Sequence, residues 1–159
     1  MLRHSIAMVG TFLALPLVGC RGEGGTMNDF STPEKAIVSL ENAYRAGDLE
    51  AAIRCKDFKI EARLMLESIS KLPKDQIDDE LVGKTAEVLE LGYRTEIKGK
   101  GLPDMRGVRS TFPKQEPGGK NIVIVTEVCH YPDGGTSSQK ILVAKTEQGW
   151  RVLNPVNDR

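Results

Sequence analysis

The chain has 159 residues, with 22 Lys and Arg against 22 Asp and Glu and a net charge of zero. That length gives one domain, and the balanced charge argues against broad electrostatic binding of nucleic acid or of anionic lipid. No long run of one charge sign occurs, so neither a basic arm nor an acidic tail is expected.

Arg3 and His4 open the chain, and Ile6 to Val18 then run without a charge. This run is too short for a spanning helix, which needs about 20 residues, and suits the apolar core of an export signal. Leu17-Val18-Gly19-Cys20 resembles the lipobox of bacterial lipoproteins. The resemblance implies diacylglyceryl transfer to Cys20, cleavage before it and acylation of the new amino group. Residues 1–19 are then a signal peptide, and the mature chain is tied to a membrane of the cell envelope through lipid on Cys20. Two or more acyl chains anchor stably, at about 0.8 kcal/mol per buried methylene. Arg21 stands where an aspartate would retain a lipoprotein at the inner membrane, which favours the outer membrane in a Gram-negative cell. Residues 20–28 are Gly-rich and polar and read as a flexible tether. The folded domain is expected over residues 29–159.

Ser31-Thr32-Pro33-Glu34 is a helix start, with a hydroxyl cap, a first-turn proline and an acid at the positive end of the helix dipole. Ala36, Ile37, Leu40, Ala43 and Tyr44 follow at helical spacing. Gly47 ends this helix, and Asp48 caps a second that runs toward Cys55. Phe58, Ala62, Leu64, Met65, Leu66 and Ile69 predict a third helix stopping before Pro73, with Asp57 as its cap. A fourth is expected from Asp75 toward Lys98. Past Gly99, Gly101 and Pro103 the pattern turns to strands: Met105–Phe112, Asn121–Tyr131, Gln139–Thr146 and Trp150–Val156, with turns at Pro132–Gly135 and Glu147–Gly149. Helices first and a strand meander later give an α+β class, with N-terminal helices packed on a curved antiparallel sheet.

A hairpin turn centred on Gly134 would place Val125 opposite Val143 and Thr126 opposite Leu142. One face then carries Ile122, Ile124, Thr126, Val128, His130, Leu142 and Ala144; the other carries Val123, Val125, Glu127, Cys129, Ile141, Val143 and Lys145. Both are apolar in the middle. Helices cover only one, so a homodimer contact, a protein partner, a ligand or more of the chain is expected on the second.

The element order and two phrases resemble the NTF2-like (cystatin-like, SnoaL-like) superfamily of α+β cones. Thr32–Ile37 through Ala46-Gly47-Asp48-Leu49-Glu50-Ala51-Ala52 is similar to its opening helix and turn, and Gly149-Trp150-Arg151-Val152 to its final strand. The superfamily includes enzymes, ligand carriers, protein-binding modules and immunity proteins against toxins, so the resemblance implies a fold rather than an activity.

No recognisable catalytic set emerges, and neither a cofactor nor a metal is expected. His130, the only histidine after residue 19, could act as a general base in a small SnoaL-like enzyme, or simply end a strand. Tyr44, Tyr93, His130 and Trp150 are the candidate pocket residues. Glu127 lies mid-strand between apolar neighbours, where pairing with Lys145 or a nearby arginine is expected to offset its burial. Cys55 and Cys129 are a candidate disulfide in an oxidising compartment, with free buried thiols the equal alternative. The leading functional reading is a non-catalytic ligand- or protein-binding module on a lipid anchor, with a His130 enzyme or a toxin-immunity protein as alternatives.

Overall fold

The computed structural model describes residues 28–69, 73 and 76–156. Cys20, the signal segment and Asp75 lie outside the described residues. The elements run α1 (Pro33–Ala46), α2 (Leu49–Arg54), α3 (Phe58–Ile69), α4 (Asp79–Lys100), β1 (Arg109–Gly119), β2 (Ile122–His130), β3 (Thr136–Thr146) and β4 (Gly149–Val156). The four strands form one antiparallel meander in the order β1-β2-β3-β4. The expected α+β layout is the layout found.

Local chemistry sets the helix ends. Thr32 Oγ1 accepts from Lys35 N at 3.3 Å and Pro33 fills the first turn of α1, which Gly47 closes at φ 70°. Asp48 Oδ1 accepts from Ala51 N at 2.8 Å to start α2, and Asp57 Oδ1 accepts from Ile60 N at 2.9 Å to start α3. The fourth helix is capped by Asp78, which accepts from Leu81 N at 2.8 Å.

Two strands depart from expectation. β1 begins and ends later than Met105–Phe112, and takes in Pro113 and Pro117. Proline removes a ladder donor, which an edge strand tolerates and a central one does not. β1 is an edge, and its pairing with β2 slips between Thr111 and Lys114, around Pro113. The β2–β3 turn is tighter than expected, so Val125 faces Ile141 and Val123 faces Val143. This slip is two residues, and a strand's side chains repeat every two, so the assignment of residues to faces survives it.

The inner face lies under α1 and α2. Ala36, Ile37, Leu40 and Ala43 of α1 and Ala51, Ala52 and Cys55 pack on Val125, Ile141, Val143 and Val152. Fully buried alanines at 36, 43, 51 and 52 let the helix backbones approach the sheet. A second cluster, Phe58, Ala62, Ile77, Val82 and Ala86, joins α3 to α4. On the outer face Ile122, Ile124, Val128 and Leu142 are half-buried. At one corner of the sheet Ile60 and Leu64 of α3 line a shallow concavity with Ile122 and Ala144.

β4 is not left with a bare outer edge. Trp150 N donates to Phe30 O at 2.8 Å, Val152 N to Cys55 O at 2.8 Å, and Asp57 N to Val152 O at 3.3 Å. Gly149 sits at the crossing of β4 with the Phe30 strap, at φ 104°, where an added Cβ would lie 2.6 Å from Phe30 O. Gly149→Ala therefore combines backbone strain with a clash. It is expected to cost about 1–3 kcal/mol, read as a lowered urea midpoint with an unchanged m-value.

Candidate functional site

A cleft of about 460 Å³ opens between α1, α4 and the inner face of the sheet. Its walls are Ile37, Leu40, Tyr44, Tyr93, Pro103, Met105, Tyr131, Ile141 and Val152, and its polar groups include Glu41, Glu127, Gln139, Ser137, Ser138 and Lys56.

Helical spacing places Glu41 in the cleft. It lies four residues after Ile37 and three before Tyr44, on the buried stripe of α1. Strand alternation places Glu127 there, between inward-facing Val125 and Cys129. The two carboxyl residues are 5% and 2% exposed, and both line this cleft. Each has polar partners. Glu41 Oε2 accepts from Arg45 Nη2 at 2.9 Å, Glu41 Oε1 accepts from Ser110 Oγ, and Glu127 Oε2 accepts from Gln139 Nε2 at 2.5 Å. Glu127 Oε1 is buried and meets no N–H or O–H donor among the described residues. Cys129 Sγ stands 3.7 Å from Ser110 Oγ.

Arg45 fixes this cluster to the scaffold. Besides Glu41, its guanidinium donates to Asn42 Oδ1 at 2.7 Å, Met105 O at 3.1 Å and Val108 O at 3.0 Å. It thus ties α1 to the connection between α4 and β1.

The other wall is aromatic. Tyr44 and Tyr93 hydroxyls meet at 2.9 Å, and Phe58 stacks tilted on Tyr93 with centroids 5.9 Å apart. The ammonium of Lys56 lies 5.4 Å from the Tyr93 ring centroid and 4.0 Å from Glu61 Oε2, with its side chain 4% exposed.

Burial controls the protonation of these groups. It raises Glu41, and the facing Glu127 carboxyl raises it further, while Ser110 and Arg45 pull the other way; the balance pushes Glu41 up to about 7. Burial also pushes the Cys55 thiol up to about 11, raises Cys129 and Tyr44, and lowers Lys56. Neither thiol is thereby activated as a nucleophile. Among the described residues no group of three or more His, Cys, Asp and Glu side chains is placed to hold a metal ion.

The structure brings together only part of the expected pocket. Tyr44 and Tyr93 line the cleft. His130 has opposite parity to Glu127 on β2 and so faces outward, with Nε2 3.1 Å from Thr111 Oγ1. A general-base role for His130 beside an acid in the cleft has no geometric support. Trp150 packs against the core elsewhere, and Lys145 lies over its ring at 5.2 Å rather than on Glu127. Glu127 is met by Gln139 instead, because the true register puts Gln139 directly opposite it.

Cys55 and Cys129 are both buried and both free, which is the second of the two alternatives the sequence leaves open. Cys55 docks on the outer edge of β4, while Cys129 is on β2. About three strand spacings of ~4.8 Å separate them, far beyond the Cα separation of up to ~6.8 Å that a disulfide spans.

Glu41, Arg45, Ser110, Gln139 and Lys56 did not emerge from the sequence. Glu41 had one legible signal, an acid on the apolar stripe of α1. The raised Glu41 gives a signed pH dependence. The native state keeps this proton up to about pH 7, whereas an unfolded glutamate loses it near pH ~4.3. Stability from this group is therefore full at and below the unfolded value and is lost as pH rises through 7. Melting temperature is expected to fall by at least about 3 °C between pH 5 and pH 8, and Glu41→Gln is expected to flatten that slope. Differential scanning calorimetry at constant ionic strength checks both.

No protein-family model matches the chain, and no curated protein matches it. Two solved structures are similar to it. One is a proposed NTF2-like transpeptidase from Campylobacter jejuni, at 17% identity and a TM-score of 0.40, covering 78% of this chain and 99% of that one. The other is an NTF2-like protein of unknown function from Shewanella oneidensis, at 16% identity and a TM-score of 0.41, covering 76% of this chain and 94% of that one. Both are described as NTF2-like.

Proposed function

We propose that this chain is a lipid-anchored protein of the bacterial cell envelope whose α+β domain binds a small molecule in the helix–sheet cleft without transforming it. The observation that carries the binding role is the cleft itself. It has the size of ordinary ligand sites, about 300–1,000 Å³, and joins an aromatic wall to a small set of fixed polar groups. The arrangement favours holding over chemistry. Arg45 is engaged on four acceptors, the thiols are raised, and the one described histidine lies on the opposite face of the sheet. The anchoring half of the proposal rests on Leu17-Val18-Gly19-Cys20 and the apolar run before it.

Each half has its own test. A fragment library screened against the isotope-labelled full chain is expected to shift amide resonances of Tyr44, Tyr93 and Glu127 together. Turnover of a substrate panel that is lost in Glu127→Gln would replace the binding module with an enzyme. For the anchor, full-length protein expressed in a bacterial host is expected in the membrane fraction, carrying diacylglyceryl on Cys20. Cys20→Ala is expected to release it, and an unmodified Cys20 on membrane-bound protein would overturn the lipid anchor.

A further inference from the structure

We propose that the Glu41–Glu127 pair selects organic cations, holding the protonated amine of a small amphipathic ligand between the two buried carboxyls of the cleft. This deepens the binding-module reading and rests on it.

The argument starts from an orphan. Glu127 is 2% exposed and lines the cleft, yet among the described residues its Oε1 meets no donor. A buried acceptor left without a donor destabilises the fold and favours a ligand that supplies one. Glu41 lines the same cleft, and the facing Glu127 carboxyl is among the causes that raise it. A second buried acid disfavours the charged form of the first, and a cation between the two relieves both.

The surrounding charges show what would balance the site. The titratable and charged groups around Glu41 are Glu127 and Cys129 from β2, Tyr131 just beyond it, Arg45 and Tyr44 from its own helix, and, from across the cleft, Lys56 and Tyr93. Lys56 is committed to Glu61 and to the Phe58 and Tyr93 rings. Glu41, Glu127 and Arg45 therefore sum to a charge of −1 when both acids are ionised and to zero when one of the acids is protonated. A ligand ammonium restores neutrality as the proton does, and its N–H groups can reach the orphaned oxygen. An anion would add to the negative charge instead. The aromatic wall suits the same ligand, since tyrosine faces attract cations and cover apolar surface. Proton and amine then compete for one site, so binding the amine releases a proton at neutral pH.

The test uses three matched probes on the full chain: 2-phenylethylamine, 2-phenylethanol and 3-phenylpropanoate. Chemical-shift titration and calorimetry would be run at pH 6 and pH 8, in buffers of different ionisation enthalpy. The amine is expected to bind in the cleft at least threefold more tightly than either other probe. It is expected to tighten about tenfold from pH 6 to pH 8, with release of up to one proton per site. Glu41→Gln is expected to abolish the pH dependence, and Glu127→Gln to weaken the amine at least tenfold and the alcohol by much less. Equal binding of amine and alcohol, preference for the carboxylate, or amine affinity independent of pH would overturn the cation assignment and leave the binding module standing. If no probe shifts a cleft resonance, the inference and the reading beneath it fail together. Either glutamine variant is checked for native amide dispersion, and the pH profile of the unsubstituted protein decides the matter if one misfolds.

Discussion

The period of a β-strand forces one costly decision on this molecule. Val125 and Cys129 must face the helices to make a core, and Glu127, between them, is carried inward with them. Burying a carboxylate in that position without polar partners would be costly. Much of the polar construction nearby answers this constraint. Gln139 stands opposite on β3, Glu41 approaches from α1, and Arg45 and Ser110 hold Glu41 in place. Replacing the cluster by apolar side chains of similar volume would be expected to cost little stability or even to gain some. Stability alone therefore does not account for such a cluster in the cleft.

Arg45 links this cluster to the rest of the architecture. Its hydrogen bonds to Met105 O and Val108 O pin the α4–β1 connection against α1. The same connection supplies Pro103 and Met105 to the cleft wall. The ion pair with Glu41 thus shares its arginine with the segment that lines the cleft. On the opposite side, Lys56 connects the cleft to the α3–α4 cluster through Phe58 and Tyr93. The two hydrophobic clusters meet around polar side chains at the cleft.

Much of this fold was legible because its signals are local. Thr32, Asp48 and Asp57 act as caps where their spacing to the helices says they should. The faces of the central hairpin were legible as well, despite a register two residues away. The partner of Glu127 was not, because that same shift replaces Ile141 by Gln139 opposite it. β1 was misplaced because prolines argue against a strand until its edge position is known. The disulfide was undecidable from sequence because it depends on which strand the Cys55 segment meets, a non-local fact. Glu41 was overlooked because charged residues on a helix are usually solvated, and only the sheet opposite reveals which face it joins.

The strap across β4 has a consequence for life at high local concentration. An open sheet edge invites another chain to add a strand, which is how many β-rich proteins aggregate. Here one edge is capped by Phe30 and Cys55–Asp57, and the other carries Pro113 and Pro117, which cannot complete a ladder. Copies at high concentration would find one edge covered and the other interrupted by proline. Both features work against neighbouring molecules fusing into a continuous sheet.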